Sequence, residues 1–348
     1  MAALVSFDKM LQPLVVVAGP TASGKSALAL GLAEKFNGEI VSCDSVAVYR
    51  GMEIGTAKPS LADRALVAHH MIDVATPDEG FTAGGYSRLA REALAGITAR
   101  GRLPIVAGGT GLYLRALIEG LFPAPRVAPE LRARLRQKGS LRGAVYLHRV
   151  LGRLDPNSAR AMHPNDLPKI LRALEVTLTR RRPMSEQWEQ GREALGGYRI
   201  LRLGLAPSRA ELYERINVRA AAMFARGLVE ETELLIASYG RECRALGSLG
   251  YAEAAAVLRD DLTRDAAVRQ AQQGHRNYAK RQGTWFRREP EMHWLAGFGG
   301  DPEVLDEAKG LIAGHLRRWA RVDRGRELYR ANNKIVREPE AHKGEQAP

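Results

Sequence analysis

Short, uninterrupted apolar runs separated by helical stretches dominate the pattern of the chain. Leu14-Val15-Val16-Val17-Ala18 is such a run, rich in β-branched residues, and suits a parallel strand buried on both faces. Glu39-Ile40-Val41-Ser42-Cys43, Leu103-Pro104-Ile105-Val106-Ala107 and Leu201-Arg202-Leu203-Gly204-Leu205 repeat the theme. Residues 27–36 lie between the first two and are helical in character. Strands alternating with helices predict an open α/β sheet, and ligands of such sheets collect at the carboxyl ends of the strands. Residues 19–26, Asp44 and Thr110 all follow directly on a predicted strand.

From about Leu121 the pattern changes. Pro123, Pro125 and Pro129 mark a break, and a strand-poor stretch runs to about Gly197. The expected organisation is a catalytic core from 1–120 and 198–315, a mostly helical insert at 121–197, and a charged, flexible tail at 316–348. Apolar positions at 212, 216, 223 and 227–228 predict one amphipathic helix over 211–231. No internal repeat is visible.

The segment after the first run is Gly19-Pro20-Thr21-Ala22-Ser23-Gly24-Lys25-Ser26, the pattern G-x-x-x-x-G-K-[ST] of a phosphate-binding P-loop. Its glycines let backbone N–H groups turn inward around phosphate oxygens, and the helix that follows adds its positive end. Lys25 supplies a cation, and the Ser26 hydroxyl suits Mg²⁺. A strand before the motif and a helix after it are the required context. The expected fold class is therefore α/β, a P-loop NTPase-like parallel sheet core with a mostly helical inserted domain. The motif does not name the ligand: ATP and any other diphosphate with Mg²⁺ satisfy the same geometry. Asp44, at the next strand end, has three open roles, as water-mediated metal holder, general base or helix cap.

Composition is ordinary for a globular protein, with 45% apolar and 26% charged residues among 348. Charge is not. Fifty-two Lys and Arg against 39 Asp and Glu leave +13, which favours a polyanionic partner. Residues 126–149 hold seven Lys or Arg against one acid. Residues 269–288 hold six and no acid, interleaved with Tyr278, Trp285 and Phe286. Basic runs beside aromatics suit RNA backbone contacts and base stacking. Cys43 and Cys243 make neither a disulfide framework nor a four-thiolate zinc site. His69-His70 lack a third ligand at metal spacing and are expected as a partly buried pair. Without a signal-peptide pattern or an apolar run near the ~20 residues that span a bilayer, the chain is expected to be soluble, cytoplasmic and free of membrane.

The P-loop, Asp44-Ser45 with Tyr49-Arg50-Gly51-Met52 and Gly55-Thr56-Ala57-Lys58-Pro59, and Gly108-Gly109-Thr110 together resemble the tRNA dimethylallyltransferase family. So do His163-Pro164-Asn165-Asp166 with Arg172-Ala173-Leu174-Glu175, and the stretch from Arg276 through Lys280-Arg281-Gln282 to Trp285. The motifs keep the family's order over residues from about 14 to 295.

The resemblance implies transfer of a dimethylallyl group from its diphosphate to N6 of the adenosine 3′ of the anticodon, position 37, in tRNAs reading codons that begin with U. Residues 19–26 then hold the leaving diphosphate with Mg²⁺ on Ser26, and Lys25, Asp44 and Thr110 form the catalytic set. Asp44 takes the base role, and Arg219 matches an arginine that reaches the diphosphate. By the same resemblance Asp44, Ser45, Val46, Ala47, Thr110, Arg132, Leu167, Pro168, Lys169, Ile170, Leu171, Lys280 and Arg281 meet the anticodon stem-loop of tRNA. The expected partners are tRNA and dimethylallyl diphosphate, and the expected state is monomeric. Two positions depart from the family pattern: Ala47 stands where many members have Gln, and Ala252 where a basic residue is usual. The rival readings are a P-loop small-molecule kinase, a nucleotide-gated RNA-binding protein, and prenylation of free adenine nucleotides. No segment of the first kind's arginine-rich lid and no Asn-Lys-x-Asp of the second is present, and the basic insert has no use for a small acceptor.

Overall fold

The structure is a computed structural model that describes residues 11–335 apart from 123, 124, 126 and 189–191, and only the backbone at 187–188 and 321–335. The chain divides into two compact units, residues 1–114 with 196–348 and residues 115–195.

The first unit is built on a six-stranded sheet in which every pairing is parallel. Its strands are β1 (Gln12–Ala18), β2 (Gly38–Cys43), β3 (His69–His70), β4 (Leu103–Gly108), β5 (Tyr198–Leu205) and β6 (Met292–Leu295), in the order β3-β2-β4-β1-β5-β6. Leu14 to Ala18 in the central strand are at most 1% exposed, which is why that segment reads as unbroken apolar sequence. Helix α1 (Lys25–Lys35) buries Leu28, Ala29, Leu32 and Ala33 against the sheet. The same core takes in Val304, Ala308 and Ile312 from the last helix. Each fully buried Leu or Ile there contributes roughly 1.5–3 kcal/mol of hydrophobic stabilisation.

The remaining helices of this unit include α2 (Leu61–Leu66) and α3 (Ala83–Ala99), and α4 (Gly111–Ile118) begins in it. The second unit carries α5 (Pro129–Leu154), α6 (Pro156–Arg160), α7 (Leu167–Arg180) and α8 (Met184–Trp188). Leu135, Leu147 and Leu151 of α5 pack on Ile170, Leu174 and Val176 of α7 to form its core. Back in the first unit come α9 (Arg209–Ala225), α10 (Leu228–Tyr239), a 3₁₀ turn at Arg244–Gly247, α11 (Tyr251–Val257), α12 (Arg264–Phe286) and α13 (Pro302–Ile335).

One expectation is corrected, and two further features go beyond what the pattern predicts. The single helix over 211–231 is two helices, because Gly227 takes the left-handed conformation (φ 98°) and breaks the run. The edge strands β3 and β6 are two and four residues long, too short for period-two alternation to show in the sequence. Residue 316 falls inside a helix. Helix α13 continues to Ile335, propagating from a turn anchored by Ile312 and buried His315, and propagation past a formed nucleus needs no further apolar stripe. Residues 336–348 of that expected tail, with Pro123 and Arg126, lie outside the described residues.

Because all strands run the same way, their carboxyl ends share one edge of the sheet. The P-loop follows β1, Asp44 follows β2 and Gly109-Thr110 follow β4, so three neighbouring strands deliver the candidate groups side by side.

Candidate active site

The P-loop turn alternates its backbone sense: Ala22 has φ 63° and Gly24 φ 88°. Such alternation points successive N–H groups into one concavity, at the amino terminus of α1. Gly24 is required twice over, since a Cβ there would also come within 2.7 Å of the Gly299 nitrogen. The Lys25 ammonium is enclosed and donates to the Pro20 carbonyl at 2.7 Å. Burial first, and then the Arg219 cation, bring its pKa down from 10.5 to about 8, against the opposing pull of Asp44. Ser26 is exposed on the first turn of α1, and its hydroxyl has no hydrogen-bond partner among the described residues.

Asp44 does not cap a helix. Its Oδ1 accepts from the backbone N–H groups of Val46 at 2.8 Å and Ala47 at 3.2 Å, an Asx-type turn that shapes the following loop. Oδ2 accepts no hydrogen bond among the described residues. The ends of β2 and β4 are stitched together beside it: Thr110 N–H donates to the Cys43 carbonyl at 3.1 Å, and Ser45 N–H donates to Thr110 Oγ1 at 3.0 Å. Gly108 permits this. A Cβ at Gly108 would fall 2.1 Å from the Cys43 carbonyl oxygen, which is backbone and cannot turn away. Gly108→Ala is expected to destabilise the protein by about 1–3 kcal/mol or more, read as a lowered thermal midpoint. An unchanged midpoint would mean that the strand ends part without cost.

Two cavities meet at Lys25 and Arg219. The smaller, about 110 Å³, is lined by Thr21, Lys25, Ser26, Asp44, Ala47, Lys58, Arg219, Tyr278 and Gln282, among others. The larger, about 420 Å³, is lined by Gly24, Lys25, Ser26, Arg215, Arg219 and Arg226, with no acid. Both share Lys25, Ser26, Ala57 and Arg219. Arg219 comes from α9, where its guanidinium donates to the Thr56 carbonyl at 3.5 Å. Burial lowers its pKa and the Asp44 carboxylate resists the shift. Arg215, one turn earlier, sets its guanidinium carbon over the Phe298 ring, 3.4 Å from the ring centre.

The loop that roofs the smaller cavity is held by Lys58, whose side chain is only 1% exposed. Its ammonium donates to the Tyr49 carbonyl, Glu53 and Asp73 at 2.7, 2.8 and 2.5 Å. Arg64 binds the same two carboxylates from outside. The resemblance does not single out Lys58, Tyr278 or Gln282 as site residues; their only signal is their place inside quoted motifs, and the four-residue spacing of Tyr278 and Gln282. On α12 these two face Asp44, whereas Lys280 lines a separate cavity and Arg281 is exposed with its guanidinium 5.7 Å from the Tyr278 ring centre. Tyr278 lines the same cavity as Asp44 and Gln282, and burial with the nearby Asp44 charge pushes its pKa up to about 12. His275, also on α12, is driven down to about 4 by burial and by Arg219, so it is neutral, and its Nε2 has no partner among the described residues.

Val46 is partly and Ala47 almost fully buried beside Asp44. In the second unit Arg132 is committed to Glu175, donating to both carboxylate oxygens at 2.9 and 3.3 Å. Leu167, Pro168 and Lys169 open α7 after the cap Asp166, and Lys169 pairs with that cap at 2.6 Å. Leu171 is partly buried. Ile170 is fully buried in the core of its unit, where it packs the turn that carries its neighbours. His69 and His70 form β3, with His70 on the buried Glu39 carboxylate at 2.7 Å. No metal-binding cluster of His, Cys, Asp and Glu, and no helix long and apolar enough to cross a membrane, occurs among the described residues.

Comparison with known proteins converges. A family model for IPP transferase matches residues 47–289. A tRNA dimethylallyltransferase of Koribacter versatilis is 58% identical over 304 residues, covering 87% of this chain and 99% of that protein. The crystal structure of a full-length tRNA isopentenylpyrophosphate transferase from Bacillus halodurans superposes with a TM-score of 0.67 at 34% identity, covering 90% of this chain and 99% of the other. A eukaryotic dimethylallyltransferase described as acting on tRNA gives a TM-score of 0.71 at 25% identity, over 97% of this chain and 82% of its own.

Proposed function

We propose a reaction for this chain on the premise that it belongs to the IPP transferase family. Its activity is transfer of a dimethylallyl group to an adenosine of tRNA. The finer reading is that the donor is dimethylallyl diphosphate and the acceptor atom is N6 of adenosine 37, in tRNAs that read codons beginning with U. One observation carries the assignment of roles: Asp44 shares a cavity with Lys25 and Arg219, and those two cations also line a larger cavity that holds no acid. A diphosphate on the P-loop is then flanked by cations, and the bond to its allylic carbon points toward the carboxylate.

N6 attacks the allylic C1 and the C1–O bond breaks, its electron pair leaving with the diphosphate. The N6 proton passes to the free Oδ2 of Asp44. Exocyclic N6 is a weak nucleophile because its lone pair is delocalised into the ring, so a base in place during attack is worth ~10²–10⁴-fold. The inward N–H groups of the P-loop, Lys25 and Arg219 stabilise the negative charge that grows on the leaving group. Oxygen donors suit Mg²⁺, and the unpartnered Ser26 hydroxyl beside the phosphate cradle fits that ion, which when bound neutralises diphosphate charge. Thr110 shapes the acceptor side through Ser45. Exposed Lys169, Lys280 and Arg281 and the segment at 167–171 support RNA contact. A tRNA substrate supports the reading of a cytoplasmic enzyme.

Incubation with Mg²⁺, labelled dimethylallyl diphosphate and unmodified tRNA, with AMP alongside, tests the reading. Label is expected in tRNA; label in AMP alone, or ATP hydrolysis without transfer, would sink it. Affinity for tRNA is also expected to fall roughly tenfold or more between 50 and 200 mM salt, by filter binding or calorimetry. A flat response would discredit the basic surface as the RNA-binding face.

A further inference from the structure

Gln282 sits where the P-loop and the Gly108-Gly109-Thr110 turn approach each other, and it is only 6% exposed. Its Oε1 accepts the Thr21 N–H at 2.7 Å, and its Nε2 donates to the Gly109 carbonyl at 2.9 Å. A backbone N–H can only donate and a carbonyl can only accept, so the orientation of this amide is fixed by its partners. The two bonds reach 261 and 173 residues along the chain. The Thr21 N–H is therefore turned toward Gln282 instead of toward a phosphate, and the cradle begins at Ala22. Gly109 is shaped to the same amide, because a Cβ there would lie 2.2 Å from Nε2. Tyr278, one turn earlier on α12, lines the same cavity as Gln282.

The P-loop side of this bridge carries the leaving diphosphate, and the other side carries Thr110, which holds Ser45 next to Asp44. Displacement requires nucleophile and carbon about 3–3.5 Å apart and in line, and a misplacement of about 1 Å costs ~10²-fold. We propose that Gln282 is a positioning residue that braces the P-loop against the Thr110 turn and so sets the separation between the leaving diphosphate and the attacking nitrogen. The proposal rests on the transfer reaction described above.

Two variants test it. Gln282→Met keeps the volume and removes both hydrogen bonds. Its kcat is expected to fall roughly 10–100-fold, with KM for tRNA and calorimetric affinity for inorganic diphosphate with Mg²⁺ both within about threefold. Gln282→Glu accepts from Thr21 in either state but donates to Gly109 only when protonated. Its kcat relative to the parent enzyme is therefore expected to rise as pH falls from 8 to 6. Parental kcat in Gln282→Met, or a pH-independent Gln282→Glu ratio, overturns the proposal; the second measurement stands even where the methionine variant folds poorly. Failure of the parent enzyme to label tRNA would instead overturn the reaction itself.

Discussion

Asp44→Asn is expected to slow transfer by roughly 10²–10⁴-fold, the usual worth of a positioned general base, while tRNA affinity stays within about threefold. The substitution separates chemistry from shape. Oδ1 builds the turn by accepting from Val46 and Ala47, and an asparagine oxygen serves that role equally well. What is lost is the proton acceptor at Oδ2, together with the carboxylate charge. The carboxylate charge also raises the pKa of both Lys25 and Arg219. The variant should therefore lower the Lys25 pKa further and move the high-pH limb of diphosphate binding to lower pH. Single-turnover rates with labelled donor, beside filter binding of tRNA, make the measurement. A rate within tenfold of the parent would remove Asp44 from the base role, and loss of tRNA binding with the rate would make it a structural residue.

Much of the sheet was legible because buried parallel strands write themselves as apolar runs: β1, β2, β4 and β5 each centre on the residues that their sequence pattern picks out. The edge strands were not, since His69-His70 and Met292-His293-Trp294-Leu295 borrow their conformation from pairing with a neighbour. The P-loop was legible because its chemistry is local, eight residues whose backbone makes the site. Gln282 and Lys58 belong to the other class. Glutamine and lysine in a basic helix and a glycine-rich loop read as solvated residues, and their burial follows from partners up to 261 residues away. Arg132 shows what a charge count misses: a cation in a basic run also pairs with Glu175 inside its own unit.

Lys25→Ala is expected to lower kcat/KM by roughly 10²–10³-fold, the range for deleting one donor aimed at developing charge, without lowering thermal stability. Burial and Arg219 both oppose the Lys25 charge in the free protein, which is why its pKa falls from 10.5 to about 8. Between those two values the unfolded chain holds a proton that the native protein has released, so the residue favours unfolding less as pH rises through that window. Its charge is a cost that a bound diphosphate offsets, because the anion favours the ammonium form. Two consequences carry a sign. Near pH 7 Lys25 is charged with or without ligand, and binding takes up little proton at this group. Above about pH 8 the free protein must gain a proton on binding, so uptake grows toward one and affinity for inorganic diphosphate declines with further rise in pH. Calorimetry in buffers of different ionisation enthalpy reads the uptake directly, with Lys25→Ala as the reference in which it vanishes. Equal uptake in parent and variant, or affinity that is flat from pH 7 to 9.5, would show that the ammonium found on Pro20 stays there and that the diphosphate is held by the backbone and Arg219 alone.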